Sequence, residues 1–316
     1  MENGTMIDAH ELSKRYGRRP AVEGLSFTVA PGQICALLGP NGAGKTSTMR
    51  MLVGLSAPDA GSARILGEPV CLGAAVLRRV GVLIDGPAFV PHLTGTANLR
   101  LLWSATRRAW PPPALDDALD LAGLGAAIDR KVKGYSMGMR QRLVLAQALM
   151  RAPDVLILDE PANGLDPAEV RALRDHLATA AGQRAAVLVS SHQLAEVQQL
   201  ATHVVVMHHG RLVTAGPLAD LLRDAGAFRV EVDDTAAALA VLRGMPGVTS
   251  VAAPDPAAGG EVVVTAPDVQ SSDLVQALVT AGVGVTSARR ATRSLEDAFL
   301  AMTQATTGGR DDRAAH

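Results

Sequence analysis

Residues 39–46 read Gly-Pro-Asn-Gly-Ala-Gly-Lys-Thr, and this run constrains the fold more than any other part of the chain. It satisfies the pattern G-x-x-x-x-G-K-[ST] in full. The apolar run Ile34–Leu38 before it reads as a buried strand, and Thr46–Leu55 after it reads as a helix. A strand, a glycine-rich turn and a helix N-terminus form an anion cradle, because the first backbone N–H groups of a helix have no partner within it. The N–H groups of Gly42, Gly44, Lys45 and Thr46 are expected to point at phosphate oxygens. Gly39, Pro40, Asn41, Ala43 and Ser47 complete the run around them. Lys45 is expected to reach the β- and γ-phosphates, and the Thr46 hydroxyl to hold Mg²⁺.

The rest of the composition narrows the setting. At 316 residues the chain has room for about two domains, and 48% hydrophobic against 19% charged residues excludes a disordered chain. A net charge of −1 excludes a bulk basic surface for nucleic acid. The only cysteines, Cys35 and Cys71, have neither metal-ligand nor disulfide spacing. Both are expected to be small core residues in a reducing compartment. No apolar run reaches the roughly 18 residues of a membrane span. Met1–His10 is acidic and lacks the apolar stretch of a signal peptide. The expectation is a cytoplasmic protein that reaches a membrane only through a partner.

Along the chain, Ile7–Leu12, Leu25–Val29 and Ile34–Leu38 read as strands, broken by Gly17, Pro20 and Pro31-Gly32. Leu93–Trp103, Leu115–Leu124 and Gly138–Arg151 read as helices. Val155–Leu158 and Ala185–Val189 are short apolar strands separated by a helix over Ala168–Ala180, which predicts a parallel sheet. A helix over Gln193–Leu200 follows, then a closing hairpin around His209-Gly210. A domain boundary is expected near Ala225-Gly226. Beyond it the predicted order is β-α-β-β-α-β, the split βαβ or ferredoxin-like arrangement. A last helix over Ser294–Met302, capped by Ser294, and a disordered polar tail over 306–316 complete the prediction.

A second acidic element specifies the chemistry. Val155-Leu-Ile-Leu-Asp159-Glu160-Pro161 places two carboxylates at the end of a buried strand. Asp159 is suited to hold Mg²⁺ and Glu160 to act on an attacking water as general base. Between this strand and the phosphate loop lies Tyr135-Ser136-Met137-Gly138-Met139-Arg140-Gln141-Arg142. With Ser191-His192 further on, these elements follow one another in an order and spacing that resemble the nucleotide-binding subunit of an ABC transporter. The resemblance covers about residues 6–220. It implies an α/β P-loop cassette over 1–224, with an antiparallel subdomain, a parallel-sheet core and a helical insert over about 86–150. A small α+β domain over 225–305 follows.

The resemblance also implies roles. Tyr16 would stack on adenine. Ser136 and Gly138 would face the γ-phosphate of ATP held by a second copy of the chain, and Leu165-Asp166 would lie across that dimer interface. His192 would orient the γ-phosphate and water. Two departures stand out. The family's Leu-Ser-Gly-Gly-Gln is here Tyr-Ser-Met-Gly-Met, and Asp85 stands where the family has glutamine. Asp85 reads either as a carboxylate holding Mg²⁺ through water or as a turn former before Gly86-Pro87.

The stretches 83–89 and 135–142, with Ser294-Leu-Glu-Asp-Ala-Phe-Leu300, are similar to the bacitracin- and daunorubicin-type drug and peptide exporters. This implies an ATPase subunit, active as a head-to-tail homodimer with Mg·ATP, that works with a separate transmembrane permease at the inner face of a bacterial membrane. The alternatives are a soluble ABC ATPase of nucleic-acid or ribosome processes, opposed by the single cassette and absent basic patch, and a regulatory ATP-binding module, opposed by Glu160. For the C-terminal domain a dimer brace is preferred to a ligand sensor, because its sequence shows no ligand chemistry.

Overall fold

The computed structural model describes residues 4–86, 88–191, 193–253, 260–292, 295–296 and 298–299. The chain divides into two compact units, one reaching Leu218 and a second over Ala219–Ala301.

The first unit contains two sheets. A four-stranded antiparallel sheet runs in the order Arg19–Val29, Ile7–Tyr16, Ala60–Ile65 and Glu68–Pro69. The expected break at Pro20 does not occur: Pro20 lies within Arg19–Val29, paired with Arg15. That strand is at the edge of this sheet, where a residue without an N–H leaves no ladder bond unmade. The six-stranded sheet runs in the order Arg211–Pro217, His203–His208, Ile34–Leu38, Ala186–Ser190, Val155–Asp159 and Val80–Leu83. All pairs are parallel except the closing hairpin of the first two strands. Ile34–Leu38 and Ala186–Ser190 are buried at every position, as strands covered on both faces must be.

The strand order decides where the chemistry goes. Ile34–Leu38, Ala186–Ser190 and Val155–Asp159 are adjacent and parallel, with Leu37 beside Ser190 and Ser190 beside Asp159. Their carboxyl ends therefore emerge side by side, although they lie far apart in sequence. Open α/β sheets bind ligands at this end. The helices Gly95–Ser104, Leu115–Ala122 and Met137–Leu149 form the insert between Val80–Leu83 and Val155–Asp159. Thr94 caps the first by accepting a bond from Ala97 N, and Tyr135 donates to the Ala127 carbonyl at 2.6 Å.

Of the two cysteines, only Cys35 is a core residue; Cys71 is exposed. The apolar stretch around Cys71 is not a strand. Its backbone packs over Gly54, at a distance a Cβ on residue 54 would obstruct, and the thiol faces outward.

The second unit has the element order Arg223–Val232, helix Thr235–Arg243, Ser250–Ala252, Glu261–Thr265, helix Ser271–Thr280 and Val285–Thr292. This is the expected β-α-β-β-α-β succession. Its antiparallel sheet places Ser250–Ala252, Glu261–Thr265, Arg223–Val232 and Val285–Thr292 in that spatial order. Phe228, Val230, Val262 and Val264 pack against Leu242, Leu274 and Leu278 in a separate core. Ser294 and the tail 306–316 lie outside the described residues.

Candidate nucleotide site

The phosphate loop follows Leu38 directly, and its helix begins at Lys45 and ends at Leu52. The cap residue is Gly44, in the left-handed region at φ 103°, and no side chain caps this helix. Its first turn carries no acidic residue. An N-terminus finished in this way keeps its partial positive charge for an anion. Glycine at 44 is required twice over. The backbone is left-handed there, and a Cβ would collide with the Ala21 carbonyl. A Cβ at Gly39 would likewise run into the Met207 carbonyl.

Lys45 is only 7% exposed. Its ammonium donates to the carbonyls of Gly39 at 2.6 Å and Pro40 at 3.3 Å. Burial lowers its pKa, and the nearby carboxylates of Glu160 and Asp159 oppose that shift.

Across the adjacent strand ends, the Thr46 hydroxyl donates to Asp159 Oδ2 at 2.7 Å. Asp159 Oδ1 accepts a short bond from the Ser190 hydroxyl. Ser190 Oγ in turn accepts from the Glu160 N–H at 2.9 Å. Glu160 sits at φ 49°, an uncommon conformation for a side-chain-bearing residue. Gln141 of the Met137–Leu149 helix donates to the carbonyls of Glu160 at 3.3 Å and Pro161 at 3.1 Å. The turn carrying Glu160 is thus held by Ser190 on one side and Gln141 on the other. Sequence reasoning gives neither residue a role. Ser190 carries a usable signal: a hydroxyl at the end of an apolar strand is costly to bury unpaired.

These residues open into one cleft of about 530 Å³, lined by Tyr16, Asn41–Ser47, Asp159 and Glu160 among others. Tyr16 is half exposed. Its hydroxyl is held below the usual phenol range chiefly by the Ser47 side chain, with desolvation opposing and Ser56 and Arg50 adding smaller contributions. A neighbouring cleft of about 480 Å³ shares Asp159 and Glu160 and adds Asp85, Met137, Arg140 and Asn163. A larger cleft, about 970 Å³, is lined by Pro31, Asp154 and Ala185, at the opposite ends of the same strands, and by none of the expected site residues.

Ser136, Gly138 and Asp166 do not line the phosphate-loop cleft. Ser136 caps its own helix, accepting from Met139 N at 3.1 Å. A Cβ on Gly138 would strike the Gly164 carbonyl of the same chain. Asp166 caps the helix Pro167–Gly182, accepting from Ala168 N and Glu169 N at 2.9 Å each. His192 lies outside the described residues. Asp85 accepts two bonds from Arg50, Nε at 2.9 Å and Nη2 at 2.6 Å.

The fold and this cleft together define a P-loop nucleotide-binding cassette. The ABC transporter family profile matches residues 22–163. The chain is 35% identical to the ABC transporter ATP-binding protein YhcH of Bacillus subtilis, over 95% of this chain and 96% of that protein. It is 39% identical to the bacitracin transport ATP-binding protein BcrA of Bacillus licheniformis, over 69% of this chain and 71% of that one. It is also 39% identical to a Nod factor export ATP-binding protein of Paraburkholderia xenovorans, over 72% and 76%. Among solved structures, an ATP-binding subunit of an ABC transporter superposes with a TM-score of 0.64 at 29% identity, covering 69% of this chain and 92% of that one. The chain belongs to the ATP-binding subunits of ABC transporters, in which ATP hydrolysis is coupled to transport.

Proposed function

We propose that this subunit powers export, from the inner face of a bacterial membrane, through a separate permease. The observation that carries the reading is the Thr46–Asp159–Ser190–Glu160 chain of hydrogen bonds at three adjacent strand ends. The name of the Nod factor export relative supports the direction of transport, and that of the bacitracin relative supports a transport role. No helix among the described residues is long and apolar enough to cross a membrane, in keeping with a permease that is a different chain.

The residues divide the work of phosphoryl transfer to water. The uncapped helix N-terminus and Lys45 bind the triphosphate and counter its charge. Tyr16 stacks on the base. Thr46 and Asp159 supply a hydroxyl and a carboxylate 2.7 Å apart, hard oxygen donors that suit Mg²⁺. No group of three or more His, Cys, Asp or Glu able to hold a metal occurs among the described residues. That fits an ion completing its shell with phosphate oxygens and water. When bound, Mg²⁺ neutralises charge on the phosphates. Glu160 orients the attacking water and takes its proton, and His192 contacts the γ-phosphate.

The site is finished by a second copy. Ser136 and Gly138 of one protomer meet the phosphates held by the other, with Asp166 at the seam, so that two nucleotides are closed head to tail. A solved bacterial ABC transporter cassette of this fold, MJ0796, is described as dimeric; its identity to this chain is 20% and its TM-score 0.62. Joint expression with the permease tests the reading. Cells producing both should expel a drug, peptide or lipid probe in an ATP-dependent way, and uptake of the probe would reverse the assignment.

A further inference from the structure

Asp85 occupies a position where its chemistry is specific, and its partner is on a different element. Its backbone is left-handed at φ 66°, followed by Gly86 at φ 77°. Aspartate tolerates this better than most residues. Both carboxylate oxygens are engaged by one guanidinium, Oδ2 by Arg50 Nε and Oδ1 by Arg50 Nη2. Arg50 lies on the Lys45–Leu52 helix, four residues after Thr46 and so on the same helical face. The fork keeps Arg50 more firmly protonated than an ordinary arginine, through the Asp85 hydrogen bonds first. The same guanidinium lies near enough to Tyr16 to help hold its phenol below the usual range.

Both partners are substantially exposed, 39% and 47%. Exposed ion pairs add little to global stability. A bidentate arginine–carboxylate pair does fix geometry, and this one joins two regions of the site: the phosphate-loop helix and the loop entering the helical insert.

We infer that Arg50 is a positioning residue, and that Asp85 serves the site by holding Arg50 rather than by holding Mg²⁺. The pair ties the phosphate-loop helix to the loop at 84–86, so that nucleotide held by that helix sets where the loop lies. Asp85 is one wall of the cleft that also contains Glu160. Displacing Asp85 therefore alters the surroundings of the catalytic carboxylate. This inference rests on the nucleotide-site reading above.

The test is a double-mutant cycle in the full chain: Arg50→Ala, Asp85→Asn and both together. Asparagine keeps the left-handed turn, so local misfolding does not decide the result. Mg²⁺-dependent ATP turnover is measured across a Mg²⁺ titration, with metal-free ATP binding as a check on the nucleotide site itself. Each single variant is expected to lower turnover about three- to tenfold, with the double variant no worse than either, because contacting residues couple. The Mg²⁺ half-saturation should not move, and Arg50→Lys should recover only part of the loss. Additive losses, or a rise in the Mg²⁺ requirement for Asp85→Asn whether or not Arg50 is present, would overturn the inference. Loss of ATP binding by the unaltered chain would instead refute the nucleotide-site reading.

Discussion

The phosphate loop and the Ser136 turn are both helix N-termini, and this chain finishes them in opposite ways. Gly44 leaves its helix without a side-chain cap, beside two strand ends that supply Asp159 and Ser190, and the helix itself begins with Lys45. Ser136 caps its own helix, and Met137 beside it is 72% exposed. One N-terminus has its walls built by its own chain. The other is presented outward, a polar turn flanked by an exposed apolar side chain. The difference teaches that local sequence makes an anion-binding helix end, and tertiary surroundings decide whose anion it meets. On the proposed reading, the first end binds nucleotide alone, and the second waits for nucleotide on a partner.

The largest expected effect separates binding from chemistry at the first end. Glu160→Gln should retain ATP binding and lose about 10²–10⁴-fold in turnover, the usual contribution of a positioned base; steady-state hydrolysis near the normal rate would remove Glu160 from its role. Lys45→Ala should weaken ATP binding by about 30-fold or more, since truncating one member of a buried charge pair costs about 2–5 kcal/mol. Calorimetry showing undiminished affinity would break the comparison at its firmer half.

Ser190→Ala is smaller. It removes the group that bonds both Glu160 N and Asp159, so turnover should fall about tenfold, with a stability loss of about 1–3 kcal/mol from the buried partners left unmade. An unchanged rate would show that the Glu160 turn is held by Gln141 alone. The smallest effect is on the thiols. Burial pushes Cys35 up to about 12, while Cys71 is exposed. An alkylating reagent at neutral pH should therefore modify one thiol per folded chain, read by mass spectrometry, and two only after unfolding.

What can be read from the sequence follows the range of the interactions. The phosphate loop is legible because strand, glycines, lysine and threonine are contiguous. Asp159-Glu160 is legible because four apolar residues precede them. Pro20 reads as a break because nothing local says that its strand is an edge. Cys71 reads as core because its neighbours are apolar, and nothing local says that this stretch leaves the thiol exposed. The Arg50–Asp85 fork and the Ser190–Asp159 bond join residues 35 and 31 positions apart, and only the strand order and helix placement bring them together. Asp166 illustrates a third case: its capping box is present in the spacing to Glu169, a local signal that a reading centred on the dimer seam passes over.

The central claim is that Ser136 acts on a nucleotide held by another copy. Ser136→Asp addresses it directly, because aspartate caps a helix as well as serine does but sets a negative charge against the phosphates. In a Glu160→Gln background, sedimentation with ATP should give dimers when Ser136 is intact and monomers when it is aspartate, with the monomers binding ATP as tightly as before. Dimers of equal stability in both, or a loss of ATP affinity in the isolated Ser136→Asp monomer, would contradict a site completed in trans.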